Sequence, residues 1–251
     1  ALGVIGLSSE EEAPVAPFVA AQGEDMAYSV GLANEAVHEA YMEGLDGIPY
    51  AFLFDAHGTL MWRGHPSQID RPLQQVLAGT FDVEESQKLV EWEEHLGAAL
   101  EAEDLEAAWR LTDEILTLDP VHLRVINLRL AIATKHEQPD VVRATLQAIP
   151  LEKLDASAAN SLAWERVTED DLRMRHLDLA LLLVRRALEL EPEEAAYIDT
   201  EARIYYALGQ VRRAFEVQAR AVALDPEEES LAATLAYYRE VLRLGETLVV
   251  P

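Results

Sequence analysis

Ala187-Leu188-Glu189-Leu190-Glu191-Pro192 recurs in kind as Ala221-Val222-Ala223-Leu224-Asp225-Pro226, which sets Pro192 and Pro226 34 residues apart. A phrase repeated at such a period marks stacked helical units, each too small to bury its apolar face without a neighbour. Between the two prolines, Ala202, Ala214 and Ala221 supply small residues, Tyr205 an aromatic ring and Gly209 a turn. Small side chains at such places let paired helices approach closely. Leu116-Thr117-Leu118-Asp119-Pro120 closes an earlier unit, with Trp92, Ala99 and Ala108 at matching offsets. Pro120 and Pro192 are 72 residues apart, two periods and four residues, so the middle unit is degenerate, around Gln138-Pro139 and Ile149-Pro150. From Ser86 onward the spacing predicts eight or nine helices in antiparallel pairs, with Glu228 to Leu244 covering the last pair.

This pattern resembles the tetratricopeptide repeat (TPR). Asn160-Ser161-Leu162-Ala163-Trp164 also resembles the NxLAW helix found in such arrays beside redoxin domains, although Leu162 and Trp164 read first as core packing. The resemblance implies a protein or peptide partner, an extended segment or a helix, held in the concave groove of the stacked pairs.

The first eighty residues have another grammar. Leu2 to Leu7 is a short apolar run that reads as a buried strand, and Ser8-Ser9 with Glu10-Glu11-Glu12 reads as a helix start. Val15, Phe18 and Val19 give that helix an apolar face, and Gly23 ends it. A weaker strand at Ala27 to Leu32 precedes a helix capped by Asn34 and running to about Met42. The alternation predicts an α/β sheet with parallel strands. In Gly47 to Pro66, GIPYAFLFDAHGTLMWRGHP, Tyr50 to Phe54 is a strand, Asp55 to Gly58 a turn, and Thr59 to Arg63 an antiparallel return. Ser67 is the expected cap of a last helix with Ile69, Leu73, Val76 and Leu77 on one face.

This order, with the G-[IV]-P and FLxDxxGxLxWRGHP-like motifs, resembles the thioredoxin-like fold of TlpA-type thiol:disulfide oxidoreductases. The resemblance implies a cis bond at Pro49 and a substrate-pairing backbone at Ile48. It also implies an extracytoplasmic, periplasmic setting in a bacterium, with the cytoplasm as the alternative. The expected architecture is thus α/β plus all-α: an incomplete thioredoxin-like fold over residues 1–80, then a TPR array over 81–251. The departure is that the family's CxxC motif and first strand would both precede Ala1, and the chain has no cysteine. In the family sheet that strand lies between those matching Leu2 to Leu7 and Tyr50 to Phe54. Its removal predicts two unpaired edges, with the gap closed by the neighbouring strands or filled by a second molecule.

Composition excludes several classes. Twenty basic against 46 acidic residues leave a net charge of −26, which opposes nucleic-acid binding because phosphate contacts need clustered Lys and Arg. An anionic membrane surface is disfavoured likewise, and no apolar run is long enough to span a bilayer. The seven histidines, His38, His57, His65, His95, His122, His136 and His176, form no HxxxH or HxH pair, so no metal or cofactor is expected. His57 reads as a solvent-facing turn residue and His65 as a cap or packing residue. Ser8-Ser9 lacks a nucleophile elbow, and Gly44, Gly47 and Gly58 form no phosphate loop, so a small-molecule ligand is not expected. No catalytic residue is assigned. Two functions follow: a redox-inactive part of a thiol:disulfide oxidoreductase with a TPR interaction domain, or a non-catalytic TPR adaptor with a structural redoxin cap. A peroxidase-type redoxin is a weaker third, since it also needs an upstream cysteine.

Overall fold

A computed structural model describes residues 2–42, 48–66 and 69–248. The chain divides into two compact units, Ala1–Val83 and Glu84–Pro251.

In the first unit the elements run β1 (Ile5–Ser8), α1 (Glu12–Gln22), β2 (Ser29–Leu32), α2 (Glu35–Met42), β3 (Ala51–Phe54), β4 (Leu60–Gly64) and α3 (Asp70–Ala78). β1 and β2 are parallel, with Ile5 opposite Ser29. β3 and β4 are antiparallel, with Leu53 opposite Trp62 and an irregularity at Phe54. The expected single sheet is not formed: the four strands make two separate two-stranded sheets, and β1 and β3 do not close on each other. The expected burial of β1 also fails, since Ile5 is 71% exposed and Leu7 58%. Among the described residues no strand other than β2 pairs with β1. Leu53, at 7% exposure, is the one buried hydrophobic residue of this unit among those described.

Local signals hold where backbone chemistry decides them. The Asn34 side chain accepts the Val37 N–H at 2.9 Å, as a helix cap should. Asp55 Oδ1 accepts the backbone N–H groups of His57 and Thr59, each at 2.8 Å, and Gly58 takes φ +81°, which closes the hairpin. Gly47 and Ser67 lie outside the described residues.

The second unit is an array of helices: α4 (Val83–Glu101), α5 (Leu105–Leu118), α6 (Leu123–Lys135), α7 (Pro139–Gln147), α8 (Ala156–Thr168), α9 (Leu177–Leu190), α10 (Ala195–Ala207), α11 (Val211–Leu224) and α12 (Glu229–Leu248). α8 packs on α9 and α10 on α11, and α12 covers α11, the expected pairing in a TPR-type repeat. Ala163, Ala180, Ala187, Ala202, Ala214 and Ala221 are fully buried where those helices meet. Asp104 and Asp155 cap α5 and α8 by accepting the N–H of Ala107 and Ala158. Three pairs are joined by three-residue turns whose middle residue is left-handed: Glu103 at φ 55°, Glu137 at 53° and Gly209 at 76°. The α8–α9 connection is longer, Glu169 to His176, and contains a 3₁₀ turn at Leu172–Met174. The α7–α8 connection is lengthened as well and α7 is shorter than α11, and together these changes give the four-residue excess over two periods.

Candidate protein-interaction surface

On α8, Leu162 and Ala163 point into the core, while Ser157, Ser161, Trp164 and Thr168 form an exposed stripe. An α-helix turns about 100° per residue, and the step from Ala163 to Trp164 carries the side chain out of the core. Core packing therefore holds for Leu162 but not for Trp164, which is 39% exposed. The corresponding residue of α10, one after the buried Ala202, is Arg203. Its guanidinium lies 5.0 Å from the centroid of the Trp164 ring.

Arg203 is fixed on three sides. Nε donates to Asp199 Oδ2 at 2.7 Å, Nη2 donates to Thr234 Oγ1 of α12 at 3.1 Å, and the indole lies beneath. Asp199 in turn accepts from Gln218 Nε2 at 2.8 Å, and the same amide donates to the Leu231 carbonyl at 3.2 Å. The charge is thus held in place by a buried polar network that spans α10, α11 and α12. Such a side chain meets a partner with little ordering left to do.

Tyrosines continue the row. Tyr237 of α12, 34 residues after Arg203, is 53% exposed and shares a 2.6 Å hydroxyl hydrogen bond with Tyr206 of α10. Tyr206 stacks on Tyr238 at 4.8 Å between centroids. Burial pushes the Tyr238 phenol up to about 12, and the hydrogen bond to Tyr237 raises that of Tyr206, so both stay protonated at neutral pH. Successive first helices of the pairs therefore present Trp, Arg and Tyr side by side, the residue types that dominate interface energetics. The sequence held one signal for this row: each member follows a small residue of the repeat, Ala163, Ala202 or Ala236.

In the first unit, the Ile48–Pro49 peptide bond is cis and Ile48 is 78% exposed. Tyr50 leans on Phe52, and the Tyr41 ring of α2 stands edge-on to Phe52 and Phe54. Cysteine is absent from the chain. Backbone donation from Thr59 holds the Asp55 carboxyl below the usual range, a turn function.

The histidines stay dispersed. His122 Nε2 meets Glu93 Oε1 of α4 at 3.0 Å, His176 Nε2 bonds the Pro139 carbonyl at 2.9 Å, and His57 and His65 are exposed. Among the described residues no three His, Asp or Glu side chains group as metal ligands, and no helix is long and apolar enough to cross a membrane.

No protein-family profile matches the chain, and no curated protein does. Among solved structures it is similar to a crystal structure of MamA protein, at 16% identity and a TM-score of 0.43 over 64% of this chain and 86% of that one. A second crystal structure of MamA gives 16% identity and a TM-score of 0.41 over 59% and 84% of the two chains. The assignment of a TPR-type helical repeat rests on the helix pairing and the 34-residue spacing of this chain.

Proposed function

We propose that this chain is a protein-interaction module, an adaptor whose helical array takes a peptide or helix along the first helices of its pairs. The row Trp164, Arg203 and Tyr237 carries this reading: exposed aromatic rings flank an arginine already fixed by Asp199 and Thr234. The net charge of −26 favours a basic segment, drawn in by long-range attraction and seated by the aromatic row. A photo-crosslinker at Ser161 of the full chain tests it. Crosslinks to a protein partner that vanish in Trp164→Ala and Tyr237→Ala support the reading. Crosslinks that are absent, or indifferent to both substitutions, count against it.

The redox reading is the second one. The order β1-α1-β2-α2-β3-β4-α3, with a parallel first pair and an antiparallel hairpin, supports a thioredoxin-like unit of TlpA type. In that reading Ile48 and Pro49 border the substrate, the thiols come from outside these 251 residues, and the array docks the client. Thiol:disulfide exchange by the native protein would support it; a native protein without redox-active cysteine would end it.

A further inference from the structure

The row of Trp164, Arg203 and Tyr237 offers hydrogen bonds in one direction. Arg203 commits Nε to Asp199 and Nη2 to Thr234, while Nη1 has no partner among the described residues and the side chain is 34% exposed. The indole N–H of Trp164 is also without an acceptor among the described residues, and it is not buried. In the Tyr206–Tyr237 pair one hydroxyl donates and the other accepts, so one phenolic proton is left over. Tryptophan and arginine carry no acceptor, and both oxygens of Asp199 are taken up by Arg203 and Gln218. A matching partner therefore brings acceptors. Because Asp199 already compensates the Arg203 cation in a chain of net charge −26, neutral carbonyl oxygens fit better than carboxylates.

Spacing narrows the choice further. The three residues stand on successive first helices, with α8 joined to α10 by the Trp164–Arg203 contact and α10 to α12 by the Arg203–Thr234 bond. Packed helices lie roughly 8–10 Å apart. A polyproline II chain turns once in three residues of about 3.1 Å each, so its residues i, i+3 and i+6 return to one face about every 9 Å. A β-strand turns residue i+3 to the opposite face, and an α-helix has its carbonyls engaged.

We propose that the row binds a proline-rich segment of another protein in the polyproline II conformation, with Lys or Arg among its prolines. The inference rests on the adaptor reading and names the partner class for that surface. Proline has no N–H to leave unpaired, and its carbonyls meet the indole, guanidinium and phenol donors. Its rings pack on the exposed aromatic side chains of Trp164 and Tyr237. Basic side chains between the prolines answer the acidic character of the chain. Such a segment holds its conformation before binding, as Arg203 does, so little ordering is lost on either side. Trp164 and Arg203 belong to pairs flanked by helices on both sides, so their exposure is set within the array.

The test uses the full chain and a fluorescein-labelled peptide of three Lys-Pro-Pro repeats. Fluorescence anisotropy should show saturable binding, weakened about tenfold or more when glycine replaces every proline at unchanged charge, a loss of roughly 1.4 kcal/mol or more. Trp164→Ala and Tyr237→Ala should each weaken it about tenfold. Should either substitution disturb the array, NMR of the unsubstituted chain decides: a Trp164 indole N–H resonance that moves on titration with the proline peptide supports the proposal. A resonance that stays in place overturns it. So does equal binding of the glycine peptide, which would make the attraction one of charge alone. Crosslinks from Ser161 to a partner, together with no binding of the proline peptide, overturn this inference and leave the adaptor reading standing.

Discussion

Arg203 lies over the face of Trp164, and the two residues come from helices 39 positions apart in sequence. The contact couples neighbouring repeats α8 and α10, because the arginine that reaches the indole is held by Asp199 of its own helix and Thr234 of α12. A buried carboxylate, an aromatic ring and a hydroxyl thus share one cation.

Removing that cation should cost more than the cation–π contact alone, which is worth about 0.5–1 kcal/mol at an exposed site. In Arg203→Met the Asp199 carboxylate, 8% exposed, loses its ionic partner, and a loss of about 3 kcal/mol is expected in urea unfolding. Asp199→Asn combined with Arg203→Met should recover part of it. A double variant as unstable as the sum of the two single ones would refute the coupling.

Gln218 is fully buried and ties α11 to both Asp199 and the Leu231 carbonyl. Gln218→Leu leaves two acceptors without that donor, for a cost of about 1–3 kcal/mol. Hydrogen exchange should rise first at the start of α12, where the Leu231 carbonyl lies. Unchanged exchange in α12 would show that the network does not hold the last helix.

The left-handed turn residues make a paired prediction. Gly209→Ala should destabilise by about 1 kcal/mol, because φ +76° suits glycine. Glu137→Gly, at φ 53° in the corresponding turn, should raise the thermal midpoint or leave it level, the relief of the backbone being offset by a more flexible unfolded chain. A clear drop for Glu137→Gly would mean that its side chain matters more than its backbone.

Two glutamates shift stability with pH in opposite senses. Burial raises the Glu93 carboxyl, but the hydrogen bond and charge of His122, aided by Arg124, outweigh it and hold the group below its ordinary 4.5. Its contribution is therefore present above about pH 4.5 and is lost as pH falls through the lower folded value. Burial raises Glu165 against the weaker pull of Arg166. Its favourable contribution is present below 4.5 and is lost as pH rises through the higher folded value. Urea midpoints across pH 3 to 7 should thus fall less on acidification in Glu93→Gln, and rise at neutral pH in Glu165→Gln. The reverse ordering would place both groups wrongly.

Much of the array was legible because its signals are local and repeated. Pro192 and Pro226 bracket one helix pair, the alanines between them mark the close approaches, and Gly209 sits in the turn. In the first unit Asn34 and Asp55 to Gly58 act as their chemistry dictates. In sequence Trp164 reads as core, because apolar residues in a helical stripe are more often buried than displayed. β1 reads as buried for a similar reason, since a wholly apolar run matches an interior strand and says nothing of what packs on it.

By itself, then, the sequence determined the period, the helix ends, the hairpin turn and the cysteine-free, acidic character of the chain. These depend on backbone geometry and composition within a few residues. Tertiary structure alone decided that Trp164, Arg203 and Tyr237 stand in one row and that β1 and β3 lie in separate sheets. Those outcomes depend on the rotational phase of one helix against the next and on which edges find a partner, quantities that no single segment contains.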